Sequence, residues 1–315
     1  MGMTQRVEGN VLAGSAPPLG RIEERADILG VRVRRWSLAQ TLDAVEESIQ
    51  RGDRRYGVFI NVYNVIEARR NPQYCRTLNE ADFPMPDGIP LVWASRVLGT
   101  PVPSRVCGPD FLVAMNERAE QKGYTVFIMC GGDKKAERTA AAFQEKHPNL
   151  KIVGAWTPPM GPIEGKLNDY ILGEIHRTQP DIFWVGLGAP LQERWVWTNR
   201  DRIEARFTGA VGGAFDYHIG MRKRAPKWMQ HRGLEFWYRI SQDPSLIWKK
   251  RFVELITMGP YRYEQARSVE SPRTSQAGIS PNRGLSAAGR CLAHKRFDFP
   301  RYPGSAPSEG PWTSL

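Results

Sequence analysis

Through the middle of the chain, short apolar runs alternate with segments whose apolar residues recur every three or four positions. The runs YGVFIN (56–61), YTVFIMC (124–130), KIVGAW (151–156), DIFWVGLG (181–188) and RFTGAVGG (206–213) predict strands. Helical patterns cover 63–71, 89–98, 109–121, 134–146, 163–178 and 190–200. Strand, loop, helix, strand in repetition predicts an α/β domain with a mainly parallel sheet flanked by helices. In such sheets ligands collect at the carboxyl ends of the strands. The residues that close each strand are therefore the first candidates for chemistry.

The pattern also sets the boundaries. Residues 1–25 are rich in Gly, Ala and Pro and show no period, so a disordered lead is expected there. The α/β core spans 26–220. From Met221 the chain turns helical, basic and aromatic: MRKRAPKWMQHRGLEFWYRISQDPSLIWKKRFVELI. Nine Lys and Arg residues between Arg222 and Arg251 face only Glu235 and Asp243 as counter-charges, with Trp228, Trp237, Tyr238 and Trp248 between them. This helical appendage is assigned to 221–266. From 267 to 315 Ser, Gly, Pro and Arg dominate, and that tail buries too little to offset its ordering entropy.

Composition narrows the class. The 315 residues are 41% hydrophobic and 24% charged, an ordinary globular balance, with a net charge of +11 that asks for an anionic partner. The four cysteines (Cys75, Cys107, Cys130, Cys291) make no Cys-x-x-Cys motif and read as thiols in a reducing compartment. The N-terminal stretch lacks the apolar core of a secretory signal, and Met1-Gly2 is followed by Arg6-Val7 rather than by the Ser or Thr of a myristoylation signal. No apolar run approaches the roughly 20 residues that span a bilayer. A cytoplasmic protein is expected, with the appendage as its one candidate for a membrane surface.

Three readings compete for 221–256: phosphate contacts and base stacking on a nucleic acid, an anionic membrane with aromatics at headgroup level, or plain packing with a solvated cationic face. Aromatics beside arginines favour the membrane interface, and no nucleic-acid module accompanies them.

Each strand end carries a structural and a chemical reading. Asn61 closes the first predicted strand and Asn64 lies one turn on; either a helix cap or a ligand contact suits them. Gly131 and Gly132 could bring backbone N–H groups to a phosphate, or simply make a tight turn. Gln192, after GLGAP, could read a base or sugar by paired donor and acceptor, whereas Glu193 suits a helix N-terminus through the dipole. Arg105 could fork onto a diphosphate or stay solvated. Asp216 and His218 form an imaginable acid–base pair, with a structural Asp216 the better reading. Asp87, in PMPDGIP, sits in a favoured turn sequence and is also a candidate general base.

Taken together, NVYNVIEARRNPQYCRTLNEADFPMPDGIPLVWASRVLG, RVCGPDFL, DIFWVGLGAPLQERW and GAVGGAFDYHIGMRKRAPKWMQHRGLEFWYRISQDP resemble the successive signatures of the WecG/TagA/CpsF glycosyltransferases, over about residues 28 to 256. The resemblance implies a Rossmann-like core and a C-terminal appendage that targets the membrane and closes over the active site. It implies transfer, without metal or other cofactor, of a sugar from a UDP-sugar to a saccharide on a polyprenyl diphosphate. The donor sugar would be of the N-acetylmannosamine type, N-acetylmannosaminuronic acid, glucose or glucuronic acid. The setting would be teichoic acid, surface antigen or exopolysaccharide synthesis at the inner face of the bacterial plasma membrane, with a homo-oligomer compatible. Asp87 matches the family's proposed base, Asn61 the Asn ending the first core strand, and Arg105 and Gln192 the donor pocket. Arg239 matches an appendage Arg acting on the diphosphate.

Three positions depart from the family pattern. Phe59 stands where many members have Thr, so that contact falls to another group such as Asn64. Leu246 and Lys249 stand where some members have Arg, and Lys lacks the bidentate fork. In the implied mechanism Asp87 takes the acceptor hydroxyl proton. Arg105, the amides of Gly131 and Gly132, and appendage cations including Arg224 and Lys249 stabilise the leaving diphosphate. The competing functions are a nucleic-acid-binding protein built on 221–256 and a non-catalytic nucleotide-sugar sensor.

Overall fold

The computed structural model describes residues 25–232 and 234–242. Of the lead expected over 1–25 only Arg25 is described, and it opens a strand. The appendage beyond 242, with Leu246 and Lys249, and the tail 267–315 lie outside the described residues.

The core begins with an antiparallel hairpin, β1 (Arg25–Ile28) and β2 (Val31–Arg34). Its turn residues Leu29 and Gly30 both have positive φ (57° and 90°), the geometry whose twist matches that of the flanking strands. Helix α1 (Leu38–Arg51) follows, started by a capping box of Ser37 and Gln40. Six further strands then build one parallel sheet. They are β3 (Arg55–Ile60), β4 (Phe83–Pro86), β5 (Thr125–Cys130), β6 (Lys151–Trp156), β7 (Ile182–Gly186) and β8 (Phe207–Ala210), in the order β4-β3-β8-β7-β5-β6. All five strands and six helices predicted above are present, with ends moved by up to three residues.

Helices cover both faces. On one face α2 (Val62–Arg70), α3 (Pro72–Asn79), α4 (Ile89–Val97), α7 (Gly165–Thr178) and α8 (Leu191–Asn199) bury residues such as Val65, Tyr74, Leu91, Ile171 and Val196. On the other, α1, α5 (Gly108–Lys122), α6 (Lys135–Lys146) and α9 (Phe215–His218) bury Val45, Phe111, Phe143 and Phe215. Strands covered on both sides are apolar throughout rather than alternating; β7 is buried at all five positions. After α9 come α10 (Lys227–His231) and α11 (Glu235–Gln242), the described part of the appendage.

Sequence pattern missed β4, because FPMP carries two prolines. The Asp87 N–H donates to the Ile60 carbonyl (2.6 Å). By alternation the nitrogens of Phe83 and Met85 also point at β3, and those of Pro84 and Pro86 point away. β4 is the edge strand, so the missing N–H groups cost no ladder bond.

The centre of the sheet is packed tightly enough to be tested. A Cβ at Gly209 of β8 would overlap the indole of Trp184 on β7, which is fully buried and donates to Asn116 Oδ1 (2.9 Å). Gly209→Ala is expected to destabilise the fold by about 1–3 kcal/mol. Chemical denaturation with an unchanged midpoint would contradict that packing.

Candidate active site

A cavity of about 470 Å³ opens at the carboxyl ends of β4, β3, β8 and β7, within the ~300–1,000 Å³ typical of small-molecule sites. Its wall takes Asp87 from the end of β4, Asn61 from the end of β3, Ala210–Gly212 from the end of β8 and Gly188 from the loop after β7. Helices α2 and α8 add Asn64, Gln192 and Glu193, and the segment after α9 adds Met221, Arg222 and Lys223.

Each side chain is held for a local reason. Asn61 caps α2: its Oδ1 accepts from Tyr63 N (2.9 Å), and its own N–H donates to Asn64 Oδ1 (2.9 Å). Asn61 thus caps α2 and lines the cavity at the same time. Gln192 is buried; its Oε1 accepts from Gly188 N (3.2 Å), and its Nε2 donates to the Ala210 carbonyl (3.2 Å) and to Glu193 Oε1 (2.9 Å). The Phe59 ring lies 5.4 Å from the Phe111 ring, tilted against it, and gives the cavity an apolar wall. Asp87 is followed by Gly88 at φ 124°, a backbone state that requires glycine. Beside Asp87 the buried Cys107 thiol is pushed up, by burial first and by the Asp87 charge second.

Several sequence candidates lie elsewhere. Gly131 and Gly132 follow β5, one strand beyond the cavity, and neither lines it. The Gly131 N–H is spent on the Gly186 carbonyl (3.2 Å). Arg105 and Arg224 do not line the cavity either; they pair with protein groups. Arg105 donates to Glu235 Oε2 (2.8 Å) and to Gln230 Oε1 (3.0 Å). Arg224 donates to Asp110 Oδ1 (2.5 Å) and to the same Gln230 oxygen (2.9 Å), with its guanidinium 5.6 Å from the Tyr217 ring. These bonds fasten α10 and α11 to the start of α5. Burial works to raise the Asp110 carboxyl, but the bonds from Arg224 and Cys107 hold it below its ordinary value.

Asp216 pairs with Lys135 and with Arg222 (3.4 Å). His218 packs 5.1 Å from Phe143 and is pushed down to about 4 by burial and then by Lys146, so the two serve the packing. The backbone of Arg239 lies in α11, and its side chain lies outside the described residues.

Gln242 closes the rim. It accepts from Lys223 N (3.2 Å) and donates back to the Lys223 carbonyl (3.0 Å), so the end of α11 borders the cavity. Sequence reasoning overlooked this residue and the cations Arg222 and Lys223 as pocket groups, and it assigned Glu193 only to the helix dipole although Glu193 lines the cavity. For Glu193 a signal existed: it lies three residues before buried Val196, on the inward stripe of α8.

A sequence model described as the glycosyl transferase WecG/TagA/CpsF family matches residues 26–269. A protein named N-acetylglucosaminyldiphosphoundecaprenol N-acetyl-beta-D-mannosaminyltransferase from Bacillus spizizenii is 31% identical over 61% of this chain and 74% of its own. Its namesake from Bacillus subtilis is 29% identical over 63% and 76%. One from Staphylococcus aureus is 26% identical over 78% and 96%.

Proposed function

This chain belongs to the WecG/TagA/CpsF family of glycosyl transferases, and on that premise we propose that it moves a hexosyl group from a UDP-sugar to a polyprenyl diphosphate-linked saccharide, with inversion and without a metal ion. The relatives are named for adding N-acetylmannosamine to a lipid-linked N-acetylglucosamine. An N-acetylmannosamine-type donor therefore comes first among the candidates, ahead of N-acetylmannosaminuronic acid, glucose and glucuronic acid.

The observation that carries the reading is the placement of Asp87. Among the described residues two carboxylic acids line the cavity at the strand ends, and of these Glu193 is buried while Asp87 is partly exposed to the cavity. One accessible carboxylate suits direct displacement, in which a base takes the acceptor hydroxyl proton as oxygen attacks the anomeric carbon. The proton goes to Asp87, the new glycosidic bond forms, and the bond to the UDP oxygen breaks. Arg222 and Lys223 supply cationic charge for that diphosphate. Gln192, Asn61 and Asn64 would hold the donor. Arg105 and Arg224 are assigned to docking the appendage rather than to gripping substrate, and Gly131 and Gly132 to the turn after β5.

The deciding experiment offers a panel of UDP-sugars, with a short-chain polyprenyl diphosphate N-acetylglucosamine acceptor, in EDTA. Mass spectrometry should find one sugar added to the acceptor. No addition from any donor overturns the transferase, and addition only when a divalent ion is restored overturns its metal independence.

The lipid-linked acceptor implies a membrane surface. Among the described residues no helix is long and apolar enough to cross a membrane, so attachment would be peripheral. Met221 and Trp228 are 58% and 57% exposed, beside Arg222, Lys223, Lys227 and Arg232. Burying such side chains contributes about 1.5–3 kcal/mol each. The double variant Met221→Ser/Trp228→Ser should bind phosphatidylglycerol vesicles at least about tenfold more weakly by co-sedimentation. Unchanged vesicle binding refutes this surface, and tighter binding to DNA than to vesicles would favour a nucleic-acid partner.

A further inference from the structure

Glu193 lies in the cavity wall, 1% exposed. Its Oε2 has no hydrogen-bond partner of ordinary geometry, although the Tyr74 hydroxyl from α3 stands close enough to influence its titration.

The polar groups around it have a fixed direction. The Asn61 N–H occupies Asn64 Oδ1, so Asn64 Nδ2 is the donor that reaches the Tyr74 hydroxyl (2.7 Å). The Gly188 N–H occupies Gln192 Oε1 and the Ala210 carbonyl takes Gln192 Nε2, so that Nε2 is also the donor to Glu193 Oε1. A backbone N–H cannot accept and a carbonyl cannot donate, so neither amide can turn over without breaking buried bonds. Tyr74, having accepted from Asn64, has a proton to give, and it faces the Glu193 carboxyl. Donors thus converge on Glu193 from α2 by way of α3 and from its own helix. An ionised carboxylate can accept from both sides; a protonated one adds a donor at a place where Tyr74 and Gln192 already present donors, so that one of those contacts must be given up or reversed.

We propose that Glu193 is a positioning residue for sugar transfer: its carboxylate fixes Gln192 and, through Tyr74 and Asn64, the Asn61 end of the cavity in the geometry that binds the donor, and releases them on taking a proton. The inference rests on the transferase reading above. Burial pushes the Glu193 carboxyl up to about 6, against the bonds from Gln192, its own N–H and Tyr74 and the charge of Arg194. Tyr74 from α3 and Arg194 from α8 are the titratable or charged groups facing it; α2 presents Asn64 and β8 the Ala210 carbonyl.

The test compares wild type, Glu193→Gln and Tyr74→Phe from pH 5 to 8, measuring steady-state transfer and thermal midpoints in the same buffers. For wild type, the KM for the UDP-sugar should rise about tenfold as pH falls from 7.5 to 5, one pH unit below the titration, with kcat changing less. Glu193→Gln should show the raised KM at every pH and no limb. Tyr74→Phe removes a bond that holds the carboxyl down, so its limb should move to higher pH. Linkage supplies a readout free of activity. A carboxyl raised in the fold from its ordinary 4.5 to about 6 contributes stability that is present below 4.5 and lost as pH rises through 6. The midpoint of wild type relative to Glu193→Gln should therefore fall between those values. A wild-type limb retained in Glu193→Gln, or a flat midpoint difference, overturns the proposal. Absence of transfer by the wild type overturns the transferase instead, and the midpoint difference then decides whether Glu193 titrates as stated.

Discussion

Asp87→Asn is expected to lower kcat for sugar transfer by about 10²–10⁴-fold, the usual contribution of a general base, while UDP still binds. The expectation rests on what the substitution leaves alone. The Asp87 N–H bond to Ile60 is made by the backbone, and the positive φ belongs to Gly88. Asn is as acceptable as Asp in such a turn, and the volume is unchanged. What is lost is the ability to hold a proton. The neighbouring thiol cannot substitute: burial and the Asp87 charge keep Cys107 protonated, and removing that charge still leaves the burial. UDP affinity by calorimetry, a thermal midpoint and single-turnover transfer separate the alternatives. A variant that folds, binds UDP and turns over like wild type removes Asp87 from the chemistry. A variant that loses UDP affinity in step with turnover makes Asp87 a binding residue.

The route to that residue shows what a sequence can carry. The buried strands were legible because a strand covered on both faces is a continuous apolar run, and VFIMC or IFWVG has few other uses. Helix α1 was equally legible from its Ser37–Gln40 capping box, yet it went unread. β4 was hidden for a physical reason: prolines argue against a strand except on an edge, and edge position is a property of the finished sheet. The site divides the same way. Asn61, Asn64 and Gln192 line the cavity because strand ends converge in any parallel sheet, whereas Asp87, at the end of the unread β4, stood out only through its turn sequence and the family resemblance. Arg105 and Arg224 were assigned to substrate because sequence shows a cation but not its partner. Their partners Glu235 and Asp110 lie 130 and 114 residues away along the chain.

That reassignment yields the second large effect, a loss of transfer on replacing Arg224 by Met. Arg224 and Arg105 share Gln230 Oε1, whose orientation is fixed because Gln230 Nε2 donates to the Ala225 carbonyl (2.6 Å). Removing Arg224 leaves Asp110 without its short bond and Glu235 short of a cation (3.9 Å). A fully buried pair broken in this way costs about 3–5 kcal/mol. Asp110 is 41% exposed, and solvent screening reduces the cost to about 1–2 kcal/mol. With α11 forming part of the cavity rim, that undocking should lower kcat/KM by roughly tenfold, since 1.4 kcal/mol is a factor of ten. Asp110→Asn discriminates between docking and substrate binding. If Arg224 acts through Asp110, Arg224→Met should cost little more once Asp110 is Asn, and the double-mutant cycle closes with a coupling near the size of the single effect. If Arg224 grips a diphosphate, the full tenfold loss recurs in the Asp110→Asn background. The pH range of that comparison is safe. Asp110 is held below its ordinary 3.8, so its contribution is present above that value and is lost only as pH falls through the depressed one. Between pH 5 and 8 the pair stays charged, and a change of transfer with pH in that window belongs to another group.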